Sequence, residues 1–144
     1  FEHSYDFGGA VDDVWQKKNG ELIIVDVKAT SRNKFDWAET FHKYEYAKAY
    51  KRQLEMYQWL FKKNGFKVAD EAYLLYFNAK KNEDFFNNQL NFDVHFIKLE
   101  CSTKWVENKI IETVNLLRSD NFPKSSGNCE HCNYLKKRWL LSQK

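Results

Sequence analysis

Residues 22–32 read LIIVDVKATSR, and this run constrains the fold more than any other stretch of the chain. Leu22, Ile23, Ile24, Val25 and Val27 read as a buried strand, yet its end carries Asp26 and Lys28. Aspartate is depleted from strands, and a buried charge must be paired or bind a metal. Side chains two apart on a strand share a face, so Asp26 and Lys28 project together while Val27 points into the other layer. Just before this run, QKKNG (16–20) ends in Asn-Gly, the strongest short hairpin signal. FGGAVDDVW (7–15) reads as a strand entered through a glycine pair. The two strands are expected to form an antiparallel hairpin. The first carries Asp12 and Asp13 on a background of Val11 and Val14. The turn lies roughly midway between Asp12 and Asp26, which lets the two meet across the hairpin. The register itself is not set by the sequence.

The rest of the chain alternates helix and strand signals. SRNKFDWAETFHKY (31–44) has no clean period and reads as a loop or short helix. From Glu45 to Asn64 the pattern is helical, with Tyr50, Leu54, Tyr57 and Phe61 on one face and Gly65 as a stop. EAYLLYFN (71–78) is a continuous apolar run, as expected of a strand covered on both faces. The polar connection AKKNEDFFNNQLN leads to FDVHFIKLE (92–100), which alternates like another strand. Ser102 is placed to cap a helix whose face is Val106, Ile110, Val114 and Leu117, and Pro123 with its Ser/Gly neighbours ends it. A cysteine-bearing tail (124–144) closes the chain, with NCEHCNYLKKRWLL expected to form a short helix. The order of hairpin, helix, strand, strand, helix gives one α/β domain over residues 1–144.

Composition narrows the function. Apolar residues make up 43% and aromatics 17% of 144, which excludes a disordered chain. No apolar stretch approaches the roughly 20 residues that a membrane span needs. No signal peptide is visible, though the abrupt start allows for a fragment. The net charge of +3 permits an anionic partner without requiring one. Three cysteines are an odd number, so a reducing, cytoplasmic setting is expected rather than a disulfide framework.

The chemistry turns on the carboxylates. Two neighbouring carboxylates raise each other's pKa unless a cation lies between them. A hard divalent ion with oxygen ligands removes that conflict, and magnesium typically uses one or two carboxylates. Lys28 beside such an ion would orient a water or stabilise developing negative charge, which suits hydrolysis of a phosphodiester. The plainer alternative is that Asp26 and Lys28 only pair with each other while Asp12 and Asp13 are solvated. On the helix, Gln53 and Tyr57 are four apart and share a face, with Lys48, Lys51 and Arg52 close by for reaching phosphates. Here the alternative is that Tyr57 is a core residue with a satisfied hydroxyl.

GAVDDV, IIVDVKAT and RQLEMY, in that order and at these separations, resemble the RecB-type branch of the PD-(D/E)XK nuclease superfamily. Its pattern is G-x-[VI]-D-x-[VI], a strand with D/E-x-K, and Q-x-x-x-Y on the following helix. The motif likeness covers about residues 2–78, and element order carries the remainder. The resemblance implies a mixed central sheet flanked by helices, a restriction-endonuclease-like core. It implies Asp12 and Asp26 as ligands of Mg2+ or Mn2+, with the Val27 carbonyl as a further ligand. Lys28 would be the catalytic lysine, and Gln53 and Tyr57 would brace the site and contact the nucleic-acid backbone. Asp13 does not fall on the family's aspartate position, because Gly9, Val11 and Val14 frame Asp12.

Some features depart from the family. Relatives usually have a helix before the first motif, often with a histidine or glutamate at the metal. Here that helix is expected to be absent or to belong to a missing part; Glu2 and His3 are candidates near the site, with an exposed position the expected reading for each. Some relatives hold an iron–sulfur cluster on four cysteines. Cys129 and Cys132 match two of them, but Arg138 stands where a third would be, and Cys101 precedes a helix elsewhere. A cluster is therefore not expected. Zinc is not expected either, since a closed site needs four ligands and His131 cannot easily join its flanking cysteines. His42 and His95 show no ligand spacing. The expected function is a metal-dependent deoxyribonuclease, an exonuclease of recombination, repair or phage and mobile-element biology. Its partners would be DNA and further domains or a helicase, with no membrane. The rival is a non-catalytic nucleic-acid-binding module of the same fold, and a third reading is a purely structural α/β domain.

Overall fold

The Asn-Gly turn forms as its sequence predicts. Gly20 adopts φ +85°, Lys17 N–H donates to the Glu21 carbonyl at 2.8 Å, and Gly20 N–H donates to the Lys17 carbonyl at 2.9 Å. The turn joins β1 (Asp13–Gln16) to β2 (Leu22–Thr30) as an antiparallel pair with Asp13 opposite Val25. This is a computed structural model that describes residues 4–81, 88–121, 123–125, 127 and 129–143. Two units are distinguished, Phe1–Glu107 and Asn108–Lys144.

In the first unit, α1 (Trp37–Lys43) starts at Asp36, whose side chain accepts from Glu39 N–H at 3.0 Å. Helix α2 (Glu45–Lys63) follows and stops where Gly65 takes φ +85°. Strand β3 (Glu71–Ala79) then pairs parallel to β2, and β4 (Phe92–Glu100) pairs antiparallel to β3. Parallel neighbours need a crossover, which α1 and α2 supply. The result is a mixed four-stranded sheet in the order β1-β2-β3-β4.

The main core lies on one face of this sheet, and a smaller cluster of Ile23, Val25 and Ala69 lies on the other. In the main core Ile24, Ala72, Leu74, Tyr76, Ile97 and Leu99 pack with Leu54 of α2. These are alternate positions on their strands, which puts Asp26, two residues past Ile24, on the same side as the helix. Glu55 ties α2 to the end of β4: its carboxylate accepts from Ser102 N–H at 3.0 Å and from Trp105 Nε1 at 2.7 Å.

The sheet corrects several expectations. The first strand begins at Asp13, not near Phe7, so Asp12 lies just before the ladder. Strand β3 is fully buried on one face only, with Tyr73, Leu75 and Phe77 half-buried on the other. Val27, on that second face, is 39% exposed rather than covered by another layer. Ser102 does not cap a helix. Helix α3 (Val106–Leu117) starts four residues later, after a turn in which Val106 N–H donates to the Thr103 carbonyl, while Ser102 N–H donates to Glu55. Glu2 and His3 lie outside the described residues, as does 82–87 of the connection before β4.

In the second unit, Ile110 and Val114 of α3 are half-buried and Leu117 is exposed. Helix α4 (Glu130–Ser142) forms as the tail predicts, and Cys129 caps it by accepting Cys132 N–H at 3.4 Å on its Sγ. All three cysteines are free thiols. No described helix is long and apolar enough to cross a membrane.

Candidate active site

Strand β2 ends in a charged corner. Register sets it: with Asp13 opposite Val25, one further step places Asp12 opposite Asp26. Asp12 has left the backbone ladder, but its side chain continues it. Asp12 Oδ2 accepts the Val27 N–H at 2.8 Å. The N–H and C=O of one strand residue face the same neighbour, so the Val27 carbonyl faces the gap that β1 leaves open.

Asp26 is 2% exposed and Lys28 pairs with its Oδ2. That oxygen has no aligned hydrogen bond, so the ammonium beside it offsets charge without fully satisfying it. Burial pushes the Asp26 carboxyl above the ordinary carboxylate range; Lys28 opposes this and the neighbouring Asp12 adds to it. Lys28 also lies over the Tyr50 ring, 4.7 Å from its centre, which holds the ammonium at the corner.

Gln53 and Tyr57 meet as their spacing predicts. Gln53 Nε2 donates to Tyr57 Oη at 2.9 Å, which leaves the phenol proton to donate elsewhere. The Tyr57 ring lies against Gly9, where an added Cβ would stand 2.6 Å from Cε1. The glycine of the first motif and the tyrosine of the third are thus in direct contact, and only glycine fits there. Tyr57 also packs against the buried cluster, as its core reading expects.

The basic residues of α2 do not form one cluster. Lys48 and Arg52 both pair with Glu45, at 3.2 and 3.1 Å. Arg52 also lines a cavity of about 360 Å³ with Phe7, Gly8, Gln53 and Tyr57. Lys51 lies on another side of the helix, 3.9 Å from Glu55, where it lines a hollow with Trp37, Lys98 and Glu100. Asp13 turns away from the corner and accepts Trp15 Nε1 at 2.8 Å. His95 stacks on Phe35 at 4.7 Å.

The corner fits a hard divalent ion. Two carboxylates, one of them buried with an unsatisfied oxygen, stand beside an open carbonyl edge, and oxygen donors of this kind suit Mg2+ or Mn2+. Among the described residues no third His, Cys, Asp or Glu joins them. The contact of Lys28 with Tyr50 was not foreseen from the sequence, although Tyr50 stands on the helix face that also carries Tyr57.

A mixed four-stranded sheet with flanking helices, carrying Asp12 joined to an Asp-x-Lys strand and a Gln-x-x-x-Tyr pair on the crossover helix, is a restriction-endonuclease-like nuclease fold. The family model of the PD-(D/E)XK nuclease superfamily matches residues 1–136, and the chain belongs to that superfamily. None of the curated proteins and none of the solved structures compared matches it.

Proposed function

We propose that this protein is a Mg2+- or Mn2+-dependent deoxyribonuclease of the RecB type, acting as an exonuclease in the cytoplasm. The observation that carries the reading is the joining of Asp12 to the Asp26–Lys28 strand through the Val27 N–H. A binding module has no need of an acidic corner facing phosphate, where like charges repel. Asp12, Asp26 and the Val27 carbonyl would hold the ion. When bound, it supplies an activated water and positive charge at the phosphate. Lys28, held beside Asp26 and over the Tyr50 ring, would stabilise the negative charge building on the phosphoryl oxygens. The water oxygen would bond to phosphorus as the bond to the 3′-oxygen breaks, the water giving up one proton to solvent and the leaving oxygen taking one from solvent. Gln53 orients the Tyr57 phenol, which donates to the backbone of the strand being cut.

A gel assay on linear and circular DNA across divalent-ion concentrations tests this. The expected result is cleavage of linear DNA that depends on the ion and is lost in Asp26→Asn. Lys28→Ala should lower turnover by roughly a hundredfold or more and change DNA affinity little. Near-normal turnover in that variant would leave Lys28 as the ion-pair partner of Asp26 only. Salt-sensitive DNA binding with no cleavage under any divalent ion would replace the enzyme by a non-catalytic module.

A further inference from the structure

Past Thr30 the chain leaves the sheet, yet Arg32 is held as firmly as a strand residue. Its N–H donates to Asn78 Oδ1 at 2.8 Å, and Asn78 Nδ2 donates back to its carbonyl at 3.0 Å. Asn78 is 6% exposed, so a buried polar side chain is committed to fixing this one backbone position. The guanidinium is aimed as well. Nη2 donates to Tyr46 Oη at 2.6 Å, Nη1 reaches Thr40 Oγ1 at 3.4 Å, and Cζ stands 4.8 Å from the centre of the Tyr44 ring. These partners are neutral hydroxyls and a ring, and no ion pair among the described residues includes Arg32.

Every lysine and arginine of α1 and α2 has a carboxylate partner, whereas this fixed, half-exposed guanidinium has none among the described residues. It lines a cavity of about 260 Å³ with Asn33, Asn78, Lys80, Lys81 and Asp93. Asp93 pairs with Lys80 at 2.9 Å, so the remaining lining is cationic. Thr30 is opposite Asn78 in the sheet, which puts this cavity at the same strand ends as Lys28. Arg32 lies four residues past Lys28, so their backbones are at most roughly 13 Å apart, a reach of a few nucleotides along a bound strand. The interval is lined by rings: Lys28 lies over Tyr50, and Tyr50 and Tyr46 are 5.5 Å apart by their centres.

We infer that Arg32, in the cavity with Asn78 and Lys81, binds a backbone phosphate of the nucleic acid a few nucleotides from the one cleaved, an inference that rests on the nuclease reading. Arginine suits the task because its planar fork meets two phosphate oxygens at once. Asn78 and Tyr46 preorganise it, so little freedom is lost when the phosphate arrives.

Fluorescence anisotropy with labelled single- and double-stranded oligonucleotides in EDTA, and steady-state cleavage with Mn2+, test it on the full chain. Arg32→Gln should weaken binding about five- to twentyfold and lower the salt slope by about one. It should raise KM while kcat stays near that of the parent. Arg32→Lys should keep the slope and recover only part of the affinity, because the fork is lost. Tyr46→Phe keeps the charge and the ring but frees the guanidinium, so a smaller loss of affinity with an unchanged slope is expected. If Arg32→Gln does not fold by circular dichroism, the lysine and Tyr46→Phe variants carry the test. Parent-like affinity and slope in Arg32→Gln, or parent-like affinity in both of the other variants, would reduce Arg32 to a loop brace. A parent that binds DNA but never cleaves it removes the nuclease reading while the Arg32 effect is still read on binding. A folded parent that binds no nucleic acid removes both.

Discussion

Asp26 is a buried acid whose ionised form the protein disfavours while the corner holds no cation. Burial raises its pKa, and the Lys28 ammonium only partly offsets this. Folding therefore favours the protonated form. The stabilisation is fully present below the ordinary carboxylate range and is lost as pH rises through the raised value. Metal-free protein is accordingly expected to melt lower at neutral pH than Asp26→Asn, which carries no charge to bury. The difference should be about 2–8 °C, on the order of 1 kcal/mol, in differential scanning fluorimetry with EDTA. Adding Mg2+ or Mn2+ should raise the melting temperature of the parent and leave the variant unmoved. A variant that gains stability from the ion as the parent does would remove Asp26 from the ligand set. The pairing of Asp26 with Lys28 was legible because strand periodicity is a local property. That Asp12 would reach the Val27 N–H was not, since it depends on where β1 stops pairing.

Elements meet at Gly9. Tyr57 is fixed on α2 by core packing, so its ring cannot yield easily to a side chain arriving 2.6 Å away. Gly9→Ala should cost about 1–3 kcal/mol in urea unfolding and weaken DNA binding with it. Adding Tyr57→Leu should restore stability without restoring binding. If it restores neither, the glycine serves the backbone of its own loop instead. The cysteines differ by element too. Burial at the end of β4 pushes the Cys101 thiol up to about 12, whereas the amide hydrogen bond from Cys132 lowers that of Cys129 at the cap of α4. Since the thiolate is the nucleophile, iodoacetamide near pH 8 should label Cys129 well before Cys101, as mass spectrometry would record. Equal rates would mean that the cap does not hold in solution. The spans of α2 and β4 were readable because their periods are long and uninterrupted. The Ser102 cap was misread because the chain makes a further turn before α3 starts at Val106, four residues on, and the Glu55 carboxylate that fixes this turn lies 47 residues away.

At the scale of the whole molecule, a net charge of +3 gives little general attraction for a polyanion. Glu45 further occupies Lys48 and Arg52. The sequence showed those basic residues but not their partners, and Arg32 stayed hidden for the same reason: Asn78, which fixes it, is 46 residues away. Binding must then rest on a few placed groups, and salt dependence can count them. Gln53→Ala combined with Tyr57→Phe removes the amide–phenol pair but keeps the ring against Gly9 and the helix propensity of α2. The pair is neutral, so it releases few counterions itself. Its loss acts by letting the substrate backbone drift from the cations that do. The double variant is expected to bind DNA several-fold more weakly, with a shallower salt slope than the parent, and to cleave correspondingly less. Anisotropy titrations between about 50 and 200 mM salt cover the range in which such slopes separate. An unchanged slope with weaker binding would assign Gln53 and Tyr57 a direct neutral contact only. Unchanged binding and unchanged cleavage together would return Tyr57 to the core and Gln53 to the surface.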